Sequence, residues 1–238
     1  MRKTNIIPIY IGFDHRERAA TNVLIDSLYQ KSSVPLSIIP LVTDQLKKSG
    51  LYTRVRDPKQ STDFSFTRFL VPYLQNYKGW AMFMDCDMLC REDINNLWMQ
   101  RNDKYSLMCV KHKHIPKSNT KFLGEIQTKY PKKNWSSLML INCSKCETLT
   151  LDKVNNASGL ELHRFNWLEN DKLIGEIKGN WNFLVDENEI NKSEITESNP
   201  PLLHWTLGGP WFKAQREIKN NFNEEWFECR KRITAYWD

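Results

Sequence analysis

Apolar residues along the chain fall into short continuous runs separated by stripes at helical spacing, the alternation of an α/β fold. Ile6-Ile7-Pro8-Ile9-Tyr10-Ile11 predicts a buried first strand that stops at Gly12, and Phe13-Asp14-His15-Arg16-Glu17 follows as a loop. Ala19, Val23, Leu24 and Leu28 then recur at helical spacing before Leu36-Ser37-Ile38-Ile39-Pro40-Leu41 returns to a strand. Strand, helix and strand in that order form a βαβ unit, so the sheet is expected to be mostly parallel. Ligands of open α/β sheets lie beyond the carboxyl ends of the strands, which directs attention to Gly12 through Arg16. No GxGxxG accompanies the turn, which disfavours an ordinary dinucleotide site.

Further along, Phe66, Phe69, Leu70, Tyr73 and Leu74 make a helical stripe that runs to Lys78-Gly79. Trp80-Ala81-Met82-Phe83-Met84 is an apolar strand that ends in charge, at Asp85-Cys86-Asp87. Residues 111 to 133 lack a clear period and contain Pro116, Gly124 and Pro131, so they read as a long loop of the kind that is functional or disordered. Ser137 to Asn142 predicts another strand and Trp181 to Leu184 a short one. Residues 213 to 236 read as a terminal helix broken near Asn220-Asn221. The expected organisation is one α/β domain over 1–238 with a mostly parallel central sheet and a C-terminal helix. Residues 1–100 form a nucleotide-binding half, 101–212 an acceptor-side half and 213–238 a helical tail.

Composition narrows the class. With 40% hydrophobic, 26% charged and 12% aromatic residues in 238, the chain carries enough apolar material for a core, and disordered, collagen-like and coiled-coil readings fall away. No apolar run is long enough to span a membrane, and Ile6 to Phe13, interrupted by Pro8 and Gly12, reads as a strand rather than a signal peptide. A cytoplasmic protein with six reduced cysteines is the expectation; Cys143-Ser144-Lys145-Cys146 lacks the second pair of a structural zinc site. The net charge of +6 is concentrated in residues 101 to 133, where nine Lys or Arg face only Asp103 and Glu125. A solvated surface or an anionic acceptor or lipid surface suits that segment, and nucleic acid does not, because no nucleic-acid-binding signature accompanies it.

Two carboxylates one residue apart at the end of a hydrophobic strand repel each other unless a cation joins them. Hard oxygen ligands at that spacing suit Mn²⁺ or Mg²⁺, which completes its shell with substrate phosphate. Arg68 on the preceding helix offers a bidentate phosphate partner. Together with the late segment His204-Trp205-Thr206-Leu207-Gly208-Gly209-Pro210-Trp211, the blocks Phe66-Thr67-Arg68-Phe69-Leu70 and Phe83-Met84-Asp85-Cys86-Asp87 occur in one order. In that order the chain resembles GT-A glycosyltransferases, nearest to glycosyltransferase family 8, which contains glycogenin and bacterial lipopolysaccharide galactosyltransferases. The resemblance spans about residues 6 to 212.

The resemblance implies a transferase of polysaccharide biosynthesis that uses Mn²⁺ or Mg²⁺ and a nucleotide-sugar donor, a UDP-sugar, with a glycan or glycolipid acceptor. It places Tyr10, Gly12, Phe13, Asp14 and Arg16 around the nucleoside, Arg68 and Cys86 in the donor site, and Asp85, Asp87 and His204 on the metal. The family's late Lys is missing, so the backbone of Gly208 and Gly209, or Lys213, is expected at the diphosphate. The family's Asp-Gln-Asp element falls near Leu162-His163-Arg164, which makes His163 a candidate general base and Arg164 a contact to donor sugar or acceptor. Ser137, Asn142 and Trp205 are candidate acceptor contacts. Three readings stay open: sugar transfer; nucleotidyl transfer or nucleotide-sugar hydrolysis by the same acids; and an idle sugar-binding module in which Trp135, Trp167, Trp205 and Trp211 stack on sugar rings. Peripheral membrane contact through Trp226 to Trp237, with Arg230, Lys231 and Arg232, also stays open.

Overall fold

The computed structural model describes residues 6–56, 60–112, 132–185, 199–218 and 220–235. Most of the basic loop expected over 111 to 133, and the last residues of the expected terminal helix, lie outside the described residues.

The central sheet has six strands in the order β2-β1-β3-β6-β5-β7: β1 Ile7–Gly12, β2 Leu36–Leu41, β3 Trp80–Met84, β5 Leu107–Cys109, β6 Leu138–Asn142 and β7 Ile174–Glu176. Its β1/β2, β1/β3 and β5/β7 pairs are parallel, while β6 runs antiparallel to both β3 and β5. The expected α/β class with a parallel-dominated sheet is therefore observed. β1 sits between two parallel partners and is covered on both faces, which is why its sequence is nearly unbroken apolar. β2 is an edge strand with Ser37 and Ile39 exposed, and it tolerates Pro40 because no outer partner needs that N–H.

Between β1 and β2, helix α1 (Arg18–Lys31) buries Val23, Leu24 and Leu28 of the predicted stripe together with Ala20, while Ala19 is half-buried. The helical stretch expected from Phe66 to Gly79 is shorter than its apolar pattern. A 3₁₀ turn at Thr67–Leu70 passes into a single α turn at Val71–Leu74, and Asn76 and Tyr77 then take left-handed backbone (φ 51° and 53°), which stops the helix. The strand expected over Trp181 to Leu184 is likewise only Phe183–Leu184 (β8), because Asn182 is left-handed at φ 68°.

A second, three-stranded sheet in the order β4-β9-β8 grows from the end of the first, with β4 at Met88–Cys90 and β9 at Leu202–His204. β4 follows directly after Asp85-Cys86-Asp87, and its pairing sets Met88 opposite His204. The terminal helical region breaks where expected: Asn220 Oδ1 accepts from the N–H of Asn223 and caps the helix Asn221–Ile233. That helix turns Phe222 and Trp226 inward, onto a cluster with Ala20, Val23, Leu203, Trp205 and Trp211, and Arg232 ion-pairs with Asp26 of α1 at 2.6 Å. Its apolar face is thus used within the fold. Among the described residues no helix is long and apolar enough to cross a membrane.

All six cysteines are free thiols, five of them buried, Cys143 and Cys146 included. Burial pushes the thiols of Cys90, Cys109 and Cys143 up to about 12.

Candidate active site

The carboxyl ends of β1 and β3 lie side by side, with Ile11 opposite Met84, so Gly12 and Asp85 leave the sheet at one level. β9 brings His204 to the same edge through its register with β4. One ligand atom from each of Asp85, Asp87 and His204 falls within 4.8 Å of the others, a convergence of the acid pair with a side chain from a distant part of the sequence. Asp85 Oδ1 lies 2.9 Å from Arg68 Nη1, and Asp87 Oδ1 lies 3.1 Å from His204 Nε2. Neither buried oxygen accepts an aligned hydrogen bond, so both keep lone pairs to spare, and the His204 contact is an ion pair only when the imidazole is protonated. Two hard oxygens and one imidazole nitrogen, with room for further ligands, fit Mn²⁺ or Mg²⁺.

Electrostatics point the same way. Burial and then the Asp87 carboxylate raise the Asp85 pKa, against the pull of Arg68. Burial would lower the His204 pKa, but Asp87 and Asp85 outweigh it and raise it. A third acid belongs to this cluster. Glu17, buried at the start of α1, has its carboxyl raised by burial and by Asp87, and it accepts from the Cys86 thiol at 3.5 Å. An excess of buried carboxylate over cation is what a divalent ion relieves.

Arg68 is a buried bracket. It donates to the carbonyls of Ser65 (3.1 Å) and Ser136 (2.7 Å) and lies over the Phe83 ring. Arg68 also lines a cavity of about 510 Å³, together with Asp85, Ser65, Ser136, Ser137 and His163 among others. A smaller one of about 230 Å³ is lined by Phe13, His15, Tyr52, Arg54 and Arg56, and Gln60 borders both.

His163 meets this wall. Its Nδ1 is 2.9 Å from Ser136 Oγ, its ring packs edge-on to Phe69, and burial followed by Arg68 and Arg54 lowers its pKa to about 3. Imidazole with that pKa is neutral at physiological pH and a weak proton acceptor. Arg164 is not among the residues lining either cavity; its carbonyl accepts from Lys132 Nζ.

Several of the other expected residues have partners within the fold. Tyr10 lies in the core, 3% exposed. Gly12 faces Phe64, whose ring would stand 2.2 Å from an added Cβ, so close packing by itself demands glycine here. Asp14 is fully buried, accepting from the N–H groups of Arg16 and Asp63 and pairing with the Arg16 guanidinium, which also holds the Ser61 carbonyl. The Cys86 thiol points at Glu17. Gly208 donates its N–H to the Trp205 carbonyl, and Gly209 packs under Trp211. Lys213 is exposed at the start of a short helix, Lys213–Arg216. Because β6 runs against β3, its first residues meet Asp85, whose N–H donates to the Ser137 carbonyl, whereas Asn142 pairs with Trp80 at the far end. Trp205 is 1% exposed and bonded to Asn223, and Trp167 and Trp211 are also buried. Phe13 and Ser137 do line cavities.

Sequence reasoning missed Glu17, which looks like any acid at a helix start, and Asn182. Asn182 is 1% exposed and bonds both Ser137 and His204. Its signal was a lone amide inside the apolar run Trp181-Asn182-Phe183.

No family model matches the sequence. Protein CDI of Arabidopsis thaliana is 46% identical over 213 residues, which cover 89% of this chain and 82% of that protein. The chain belongs to the Protein CDI family. Among solved structures, this chain is similar to the bifunctional glycosyltransferase WbbM (TM-score 0.61, 13% identity), over 97% of its own length and half of the WbbM chain. The galactosyltransferase LgtC, with donor and acceptor sugar analogues, gives a TM-score of 0.59 at 12% identity over 98% of both chains. GlyE of Streptococcus pneumoniae TIGR4 gives 0.59 at 14% identity, over 94% of this chain and 60% of that one. At such identities the likeness shows the fold, and this chain has the GT-A glycosyltransferase fold.

Proposed function

We propose that the chain is a divalent-metal-dependent glycosyltransferase, allied to glycosyltransferase family 8, that moves a sugar from a nucleoside-diphosphate donor, a UDP-sugar, to a hydroxyl of a glycan or glycolipid. The observation that carries this reading is the convergence of Asp85, Asp87 and His204 beside the larger cavity. Asp85, Asp87 and His204 Nε2 would hold Mn²⁺ or Mg²⁺, which neutralises charge on a departing diphosphate. Phe13, His15 and Tyr52 wall a cavity suited to the nucleoside, and Ser65, Ser136 and Ser137 present hydroxyls or carbonyls to a sugar. Arg68 fixes Asp85 and the Ser136 carbonyl in place, so that wall is preorganised. His163 orients Ser136 rather than moving a proton. That LgtC holds donor and acceptor analogues on this fold supports a site of both halves.

Thermal unfolding with UDP plus Mn²⁺, against UDP plus chelator and against GDP, CDP and dTDP plus Mn²⁺, tests it. At about 100 times the dissociation constant, ligand adds about 2.7 kcal/mol, a rise of roughly 5–10 °C for a chain this long. A shift that needs both metal and UDP is expected; no shift with any pair overturns the reading. Turnover with released pyrophosphate in place of nucleoside diphosphate would assign nucleotidyl transfer instead.

A further inference from the structure

We propose that Asn182 is the positioning residue that sets the tautomer and orientation of His204, so that the Nε2 lone pair faces Asp87 and a bound metal. The proposal rests on Asp85, Asp87 and His204 being metal ligands. A one-way chain of hydrogen bonds carries it. Ser137 Oγ lies 2.7 Å from the Asn134 carbonyl, which only accepts, so the hydroxyl proton is committed there. The same oxygen, 2.9 Å from Asn182 Nδ2, must then accept, which fixes the amide with its nitrogen toward Ser137. Asn182 Oδ1 is left pointing at His204 Nδ1, 2.7 Å away, and an amide oxygen cannot donate. The ring proton therefore sits on Nδ1, and Nε2 is the nitrogen turned to Asp87 at 3.1 Å. Metal-binding histidines are generally oriented by such an acceptor on the other nitrogen.

The backbone makes the position specific. Asn182 is 1% exposed at φ 68°, a left-handed conformation that Asn tolerates better than most side chains. The amide also joins the two sheets: Ser137 precedes β6 of the large one, and His204 ends β9 of the small one.

Three proteins test the proposal, each as the full chain: wild type, Asn182→Gly, which keeps the backbone and removes both hydrogen bonds, and Asn182→Asp, which keeps an acceptor for Nδ1. Mn²⁺ titration calorimetry is expected to give about 10- to 100-fold weaker binding for Asn182→Gly. Asn182→Asp is expected to recover most of that loss. Equal binding by Asn182→Gly and wild type overturns the proposal, and so does equal loss in both variants, which would mark a structural position. A wild type that binds neither Mn²⁺ nor Mg²⁺ overturns the metal-ligand reading along with it, a distinguishable result. Long-range ¹⁵N–¹H spectra of histidine-labelled wild type with Mg²⁺ need no variant: the His204 proton is expected on Nδ1, and a proton on Nε2 overturns the proposal.

Discussion

Arg68 Nη1 lies 2.9 Å from Asp85 Oδ1, and the two side chains are only 6% and 13% exposed. Removing one partner of a buried pair leaves an uncompensated charge, so Arg68→Met is expected to cost about 3–5 kcal/mol in urea unfolding at pH 7. Arg68→Lys restores the charge but not the fork that also reaches the Ser65 and Ser136 carbonyls, and should recover only part of the loss. A lysine variant as stable as wild type would remove the bracket argument.

Gly12→Ala tests whether this glycine serves packing or ligand. Its new Cβ would meet the Phe64 ring, and overpacking of that kind costs about 1–3 kcal/mol. Pairing it with Phe64→Leu should return most of the stability, with nucleotide affinity recovering in parallel. A well-folded double variant that no longer binds nucleotide would give the glycine back to the ligand.

Glu17 makes stability depend on pH in a defined direction. Burial, then Asp87, raises its carboxyl from 4.5 to about 8, so the folded chain holds the proton more tightly than the unfolded one. Its contribution is complete below about 4.5 and is lost as pH rises toward 8, at up to about 1.4 kcal/mol per pH unit. In chelator, Glu17→Gln should flatten the stability curve across that window and be the more stable protein above it. Parallel curves would place the proton elsewhere.

The His163 shift has the opposite sign. Its pKa falls from 6.5 to about 3, so the unfolded chain takes up a proton that the folded one refuses, and stability drops as pH falls through that interval. His163→Gln should lose less stability on acidification. Any rate profile between pH 5 and 8 should keep its inflections in that variant; loss of one would restore His163 as a base.

The acid pair and Arg68 were legible because each breaks an otherwise apolar segment, and a charge at the end of a buried strand needs a reason to be there; His204 was joined to them by the family resemblance. Strand direction was not legible. β6 reads identically parallel or antiparallel, yet its direction alone decides that Ser137, and not Asn142, meets Asp85. Glycines at Gly12 and Gly209 carry the same letter whether they admit a phosphate or an aromatic ring, and the partners Phe64 and Trp211 are known only from the packed core. The helix after Phe66 fell short of its apolar stripe because backbone at Asn76 and Tyr77, not periodicity, ends it.

The five buried cysteines give the fold a built-in clock for its own opening. With thiols inaccessible and their thiolates strongly disfavoured, an alkylating reagent can label them only when the core comes apart, so the labelling rate counts unfolding events. The half-buried Cys229 on the terminal helix supplies the baseline for local fraying in the same sample. Slower labelling of the five, at an unchanged Cys229 rate, would measure how far metal and nucleotide lengthen the life of the closed state without any assay of turnover.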